Sequence, residues 1–231
     1  VVSLANRYAV KSDYSVAIIC RKTSVNDMYP CHPAVKFAHI PSFASFPWLL
    51  HSYIKIIREI IASDVVFVTG IWGRFDGIAP FIAIKFFNQG RKIVFRVCGM
   101  LEPYILSKRT LKKKLAILLY VRFNLNRCNS LILNSQSECN KLPRFVSAST
   151  YIIKNGLTLP LISDATKKKA RSIFNVQSNE RIFLYMGRID PKKGLDLFLR
   201  SLLSLDLNSQ ALHPTRFFIA GTYSSSSYKD L

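Results

Sequence analysis

Acidic side chains are scarce in this sequence. Thirteen Asp and Glu face 33 Lys and Arg, a formal net charge of +20 over 231 residues. Such a field favours an anionic partner: nucleic acid, an anionic membrane surface, or phosphorylated small molecules. The imbalance is uneven, with 22 basic and 7 acidic residues in 1–157 against 11 and 6 in 158–231. Long apolar runs are also missing. None reaches the roughly 18–20 residues that span a bilayer. The longest, Ile78 to Phe87 and Leu115 to Val121, are broken by Lys85 or bounded by Lys114 and Arg122. No segment has the charged start, apolar middle and small-residue cleavage site of a signal peptide. The five cysteines (Cys20, Cys31, Cys98, Cys128, Cys139) form no C-x-x-C pair, and His32, His39, His51 and His213 do not cluster. A zinc site and a disulfide framework are therefore not expected, and buried free thiols in a reducing, cytoplasmic compartment are. There are no internal repeats, and the one low-complexity patch, Ser224–Ser227, reads as a loop.

What is present is material for a core: 49% hydrophobic residues, including 16 Phe and 10 Tyr. Strands are predicted at Val16–Cys20, Val65–Thr69, Ile93–Val97, Leu131–Leu133, Tyr151–Ile153, Ile182–Met186 and Phe217–Ala220. Most are continuous apolar runs, which suits strands buried on both faces of a parallel sheet. Helices are predicted over Pro47–Ala62, Asp76–Asn88, Thr110–Asn124 and Gly194–Leu205. In Pro47–Ala62 the apolar residues Leu49, Leu50, Tyr53, Ile54, Ile57, Ile60 and Ile61 follow a 3.6-residue period. Strands alternating with helices imply an α/β architecture built from βαβ units. The polar stretch Leu157–Ser178 predicts a boundary between a first domain, 1–160, and a second, 161–231.

The segment Ile182–Gly194 concentrates the chemistry. An apolar strand runs into Gly187-Arg188, followed by Lys192-Lys193-Gly194 and an amphipathic helix. In open α/β sheets ligands bind at the carboxyl ends of strands. Gly187 permits close backbone approach or a sharp turn. Arg188 offers a planar fork of donors for phosphate oxygens, and Lys193 a flexible point charge. A helix beginning near Gly194 adds its positive end. Together they could hold a diphosphate and stabilise it as it departs with negative charge. Equally, a basic strand-to-helix turn of this kind can be plain solvated surface.

Its surroundings give the turn a context. Gly187 to Gly194 resembles the phosphate-binding motif of glycosyltransferase family 4, whose two-Rossmann-domain architecture is called GT-B. Further landmarks follow in collinear order. Asn155-Gly156 is similar to the family's Pro-Asn-Gly segment, with Lys154 in place of the Pro. Ser135-Gln136-Ser137-Glu138 resembles its Ser-x-x-Glu, and locally Ser135 can cap a helix with Glu138 closing a capping box. Ile219-Ala220-Gly221 resembles the next strand and its glycine turn. Cys98-Gly99-Met100-Leu101-Glu102-Pro103 and Trp72 resemble features of one branch.

The resemblance implies a GT-B fold with parallel sheets, the second domain incomplete. It implies that Gly187, Arg188 and Lys193 bind the donor diphosphate, with Lys192 as runner-up to Lys193. Trp72, Cys98, Gly99, Ser135, Glu138, Asn155, Gly156 and Gly221 are then expected to line the cleft. The reaction implied is transfer of a sugar from a UDP- or GDP-sugar to a glycan or lipid-linked acceptor, with retention and with neither metal nor other cofactor. No catalytic residue is assigned. Many relatives carry a His where Cys98 stands, and Cys98 itself reads as a buried small residue rather than a nucleophile.

The family's first strand and glycine-rich turn would precede Val1, and its paired-glutamate motif would follow Leu231, so a fragment inactive on its own is expected. Residues 85–127 hold eleven Lys or Arg and one acid, Glu102. Lys108, Arg109, Lys112, Lys113 and Lys114 precede the apolar run from Leu115, so this region can either rest on the inner face of an anionic membrane or form a core helix with a solvated basic start. The rival to an enzyme is a catalytically inactive basic module that binds membrane or nucleic acid. Against nucleic acid as a partner stands the lack of a helix-turn-helix, zinc finger or aromatic RNA-binding signature.

Overall fold

The computed structural model describes residues 2–11, 13–21, 31–40, 46–87, 90–108, 110–156, 161–204 and 214–222. Arg109, Leu157 to Pro160, Leu205 and the Ser224–Ser227 patch lie outside them, as do the side chains of His39 and Lys192. The chain divides into two compact units, Val1–Gly156 and Leu157–Leu231.

Unit 1 begins with α1 (Val2–Ala9), β1 (Ala17–Arg21), β2 (Lys36–Ile40), α2 (Phe46–Ile61) and β3 (Val65–Thr69). A π-helical turn, Arg74–Ile78, leads into α3 (Ala79–Phe87), then β4 (Lys92–Arg96) and α4 (Pro103–Ser107). α5 (Thr110–Ala116) continues through a second π-helical turn, Ile117–Val121, into α6 (Arg122–Arg127). β5 (Ser130–Leu133), α7 (Gln136–Asn140) and β6 (Thr150–Ile152) complete the unit. β1 pairs with β2, and β3-β4-β5-β6 form a four-stranded sheet in that order. Every pairing is parallel, with Thr69 opposite Arg96, Arg96 opposite Ile132 and Leu133 opposite Ile152. This is the α/β, parallel-sheet architecture expected from the alternating pattern.

Burial explains why these runs became strands. Ile93 and Phe95 of β4 and Leu131 and Leu133 of β5 are buried with Val97, Leu101, Val121 and Leu125 in one cluster. A second cluster joins Ile40 of β2, Ile56 and Ile60 of α2, and Ala79 and Ala83 of α3. Each fully buried Leu, Ile or Phe contributes about 1.5–3 kcal/mol. Within β4 and β5 only every second residue is fully enclosed, so burial alternates despite the apolar sequence.

Unit 2 contains α8 (Asp164–Ile173), β7 (Arg181–Met186), a 3₁₀ turn at Pro191–Lys193, α9 (Leu195–Leu203) and β8 (Thr215–Ala220). β7 and β8 pair in parallel.

Three expectations need correction. β2 was not anticipated, because Lys36 and His39 break its apolar pattern. The polar stretch Leu157–Ser178, where no helix was predicted, contains α8: Ser163 caps it by accepting from Thr166 N at 3.2 Å, and no residue of α8 is buried. β7 is not enclosed on both faces. Ile182, Phe183, Leu184 and Met186 are exposed, because the described sheet of unit 2 has only two strands.

Candidate functional site

Because β3 to β6 are parallel and adjacent, their carboxyl ends share one edge of the sheet. Trp72 follows β3, Gly99 follows β4, Ser135 and Glu138 follow β5, and Asn155 follows β6. The sequence landmarks of unit 1 therefore come from four neighbouring loops on the edge where open α/β sheets bind ligands.

Two hydrogen-bonded knots tie these loops. Glu138 is buried, and its carboxylate accepts from two backbone amides: Oε2 from Asn134 N at 2.7 Å and Oε1 from Gly99 N. Ser135 Oγ accepts from Glu138 N at 3.2 Å, the helix cap expected. The return half of the expected capping box differs. The carboxylate bonds the amide one residue before the cap and reaches across to the β4 loop. A buried carboxylate is tolerable only when so satisfied, and here it holds Gly99 in place. That loop takes an unusual path, with positive φ at both Cys98 (48°) and Gly99 (73°). Glycine adopts it freely, whereas for Cys98 it carries strain.

The second knot centres on Arg96, at the end of β4. Its Nη2 donates to Asn134 Oδ1 at 2.8 Å and to Asn155 Oδ1. Asn155 is thus joined through Arg96 to the β5 loop, and Asn134 belongs to both knots. Neither Arg96 nor the Asn134 side chain was singled out by sequence reasoning. A charged residue ending the apolar run Ile93-Val94-Phe95 was the available signal.

The remaining sites of unit 1 are less connected. Trp72 lies outside both knots. Its carbonyl accepts from Tyr120 Oη at 3.0 Å, and Lys113 Nζ sits 5.6 Å from its ring centroid. Its indole Nε1 is enclosed, with no hydrogen-bond partner among the described residues. Gly156 is exposed with open space around it. Cys98 is exposed rather than buried, and of the five cysteines only Cys128 is buried, which corrects the expectation of enclosed thiols. Burial pushes the Cys128 thiol up to about 11.

In unit 2 the motif lies at the carboxyl end of β7, as its sequence required. Gly187 N donates to Ala220 O and Ile189 N to Thr222 O, each at 2.9 Å, carrying the β7–β8 pairing into the turn. The chains are so close that a Cβ on Gly221 would stand 1.8 Å from the Gly187 carbonyl oxygen. Gly187 and Gly221 are thereby brought together, and the glycine at 221 has a steric cause. Tyr185 Oη donates to Arg188 O at 3.2 Å and braces the turn. Lys193 N donates to Asp190 O at 2.8 Å, and Gly194 enters α9 at φ 67°. The side chains of Arg188 and Lys193 are exposed, and neither makes an ion pair among the described residues.

The other end of β7 is built differently. Glu180 accepts from Gln177 N at 2.6 Å and pairs with Arg216 Nε at 2.9 Å. Those two bonds hold its carboxyl below the usual range. Arg171 Nη2 donates to the Glu180 carbonyl at 2.6 Å. Arg171 and Arg216 at this amino end are thus engaged, whereas Arg188 and Lys193 at the carboxyl end make no ion pair among the described residues.

A parallel α/β sheet with loop-built sites at its carboxyl edges is the general class that fold and geometry define. Among solved structures the chain is similar to that of Anabaena Alr3699/HepE in complex with UDP, with a TM-score of 0.56 and 17% sequence identity. The likeness covers 85% of this chain and 50% of that one, so the chain spans about half the length of this neighbour. At that identity the likeness is one of fold. No protein-family model and no curated protein matches the chain.

Proposed function

We propose that this chain is part of a glycosyltransferase that moves a sugar from a nucleoside-diphosphate donor, with Arg188 and Lys193 binding the donor diphosphate. One observation carries this reading: two exposed cations, free of acidic partners among the described residues, flank a glycine turn at the carboxyl end of a parallel strand. The UDP named in the neighbour's complex supports the choice of ligand. Asp196 lies in the first turn of α9, so the helix end alone would draw an anion weakly, and the binding falls to the two side chains. As the sugar–phosphate bond breaks, negative charge grows on the diphosphate. Arg188 meets it with a planar pair of donors and Lys193 with a point charge, so stabilisation increases along the reaction. These cations would take the role that a divalent metal plays elsewhere, and transfer would retain anomeric configuration.

The acceptor is proposed to be a glycan or lipid-linked sugar at the inner face of a membrane. The knots at Glu138 and Arg96 would hold the acceptor-side loops after β4, β5 and β6 in fixed positions. No helix among the described residues is long and apolar enough to cross a membrane, so contact with lipid would be peripheral.

The test is calorimetric titration of the chain with UDP. Binding, rather than turnover, is the readout suited to a chain half the length of its structural neighbour. Arg188→Ala is expected to weaken UDP binding about 10- to 100-fold, the loss of a charge-assisted bond of about 1.5–3 kcal/mol. Unchanged affinity in Arg188→Ala would remove the assignment.

A further inference from the structure

The continuous helical segment Thr110–Arg127 has two faces of opposite character. Inward, Tyr120, Val121, Asn124 and Leu125 are buried. Outward, Leu111, Leu115, Leu118 and Leu119 are 80, 55, 79 and 58% exposed. Leu111 and Leu115 are one turn apart on α5, and Leu118 and Leu119 follow in the π-helical turn, so exposed leucines run along the segment on the side away from its buried residues. A single exposed leucine needs no explanation, but an apolar stripe whose core side is already filled does.

Charge selects what covers the stripe. Lys112, Lys114, Arg122 and Arg127 are exposed beside the leucines, and Glu102 is the one acid in residues 85–127. Leu118 and Arg122 also share a shallow cleft with Asn126 and Arg127. Lys113 faces elsewhere, donating to the Ile105 carbonyl and lying over Trp72. A second copy of this chain would bring another net charge of +20 against the first. Nucleic acid would satisfy the cations and leave the leucines in water. A bilayer with anionic headgroups satisfies both. The segment is about 27 Å long at 1.5 Å per residue and interrupted by charge, so it would lie along the interface and not across it.

We propose that this face docks on an anionic membrane, with Leu111, Leu115, Leu118 and Leu119 at the acyl boundary and Lys112, Lys114 and Arg122 against headgroup phosphates. The proposal deepens the peripheral-membrane part of the function above, yet it stands or falls on lipid binding alone.

Co-sedimentation of the whole chain with vesicles tests it. Phosphatidylcholine alone is expected to bind poorly, and phosphatidylcholine mixed with phosphatidylglycerol to bind in a salt-sensitive way. The double variant Lys112→Gln/Lys114→Gln should reduce partitioning roughly 20- to 30-fold at low salt. Leu111→Gln/Leu118→Gln should reduce it about tenfold or more. Leu203→Gln changes a leucine that is 86% exposed in unit 2 and should have no effect. Three results would overturn the proposal: equal binding to neutral vesicles, no effect of the leucine pair, or self-association that the leucine pair abolishes. UDP titration of the same samples keeps the two readings separate. Lipid binding lost with UDP binding intact confirms the docking face, while UDP binding absent with lipid binding intact sinks the donor assignment alone.

Discussion

Phe95 in β4 and Phe183 in β7 both occupy interior positions of parallel strands, yet Phe95 is 0% and Phe183 51% exposed. The contrast runs through the two units. Unit 1 has a four-stranded sheet whose helices and loops enclose a continuous apolar cluster. Unit 2 has two described strands, and Val176, Ile189 and Leu195 are its buried apolar side chains among the described residues. Their candidate sites differ in the same way. The loops of unit 1 are fixed by a buried carboxylate and a shared arginine. The turn of unit 2 is fixed by backbone bonds, the Tyr185 hydroxyl and a glycine contact, and its cations are left to solvent. Enclosed groups position neighbouring loops, and exposed cations are available to an incoming anion.

The sharpest way to break this comparison is to hollow both units. Phe95→Ala should cost about 3–5 kcal/mol, whereas Phe183→Ala, already half in water, should cost under about 1.5 kcal/mol. Chemical denaturation of the two variants reads the difference, and equal losses would erase it.

Next comes the knot of unit 1. Glu138→Ala leaves the amides of Gly99 and Asn134 without their acceptor and should cost about 2–3 kcal/mol in the same assay. A loss no larger than that of an exposed carboxylate would show that Glu138 does not hold the β4 loop.

The corresponding contact in unit 2 is steric. Gly221→Ala drives a methyl group into the Gly187 carbonyl and should cost about 1–3 kcal/mol while lowering UDP affinity. Wild-type melting and affinity together would mean that the turn relaxes freely.

The smallest effect is chemical. With its thiol pushed up to about 11, Cys128 stays protonated and enclosed at pH 8 to 9. Exposed Cys98 should be alkylated there first. The sign for stability follows: a raised thiol favours the native state fully below the unfolded value, near 8.5, and that contribution is lost as pH climbs towards 11. Mass spectrometry showing Cys128 labelled as fast as Cys98 would contradict its burial.

Much of this was legible in the chain. Seven of the eight described strands were readable as apolar runs, although burial accounts for the run in β4 and β5 and not in β6 or β7, whose apolar side chains are largely exposed. β2 escaped because Lys36 and His39 interrupt it. α8 escaped because it is held by Ser163 and exposed charges, so hydrophobic periodicity has nothing to detect. The Gly187–Gly194 turn was visible because its residues are consecutive. The Arg96 knot was not, because its partners lie 38 and 59 residues away and only strand order brings them together. Which leucines of Thr110–Arg127 face inward was also hidden, since a π-helical turn in mid-helix shifts the register of faces.

The most direct measurement compares UDP with uridine, titrated by calorimetry into the wild-type chain and into Arg188→Ala/Lys193→Ala. If the two cations grip the diphosphate, the wild type prefers UDP and the double variant largely loses that preference, with uridine little changed. Equal affinity for UDP and uridine in the wild type, or a UDP preference that survives the double substitution, would contradict the assignment of Arg188 and Lys193.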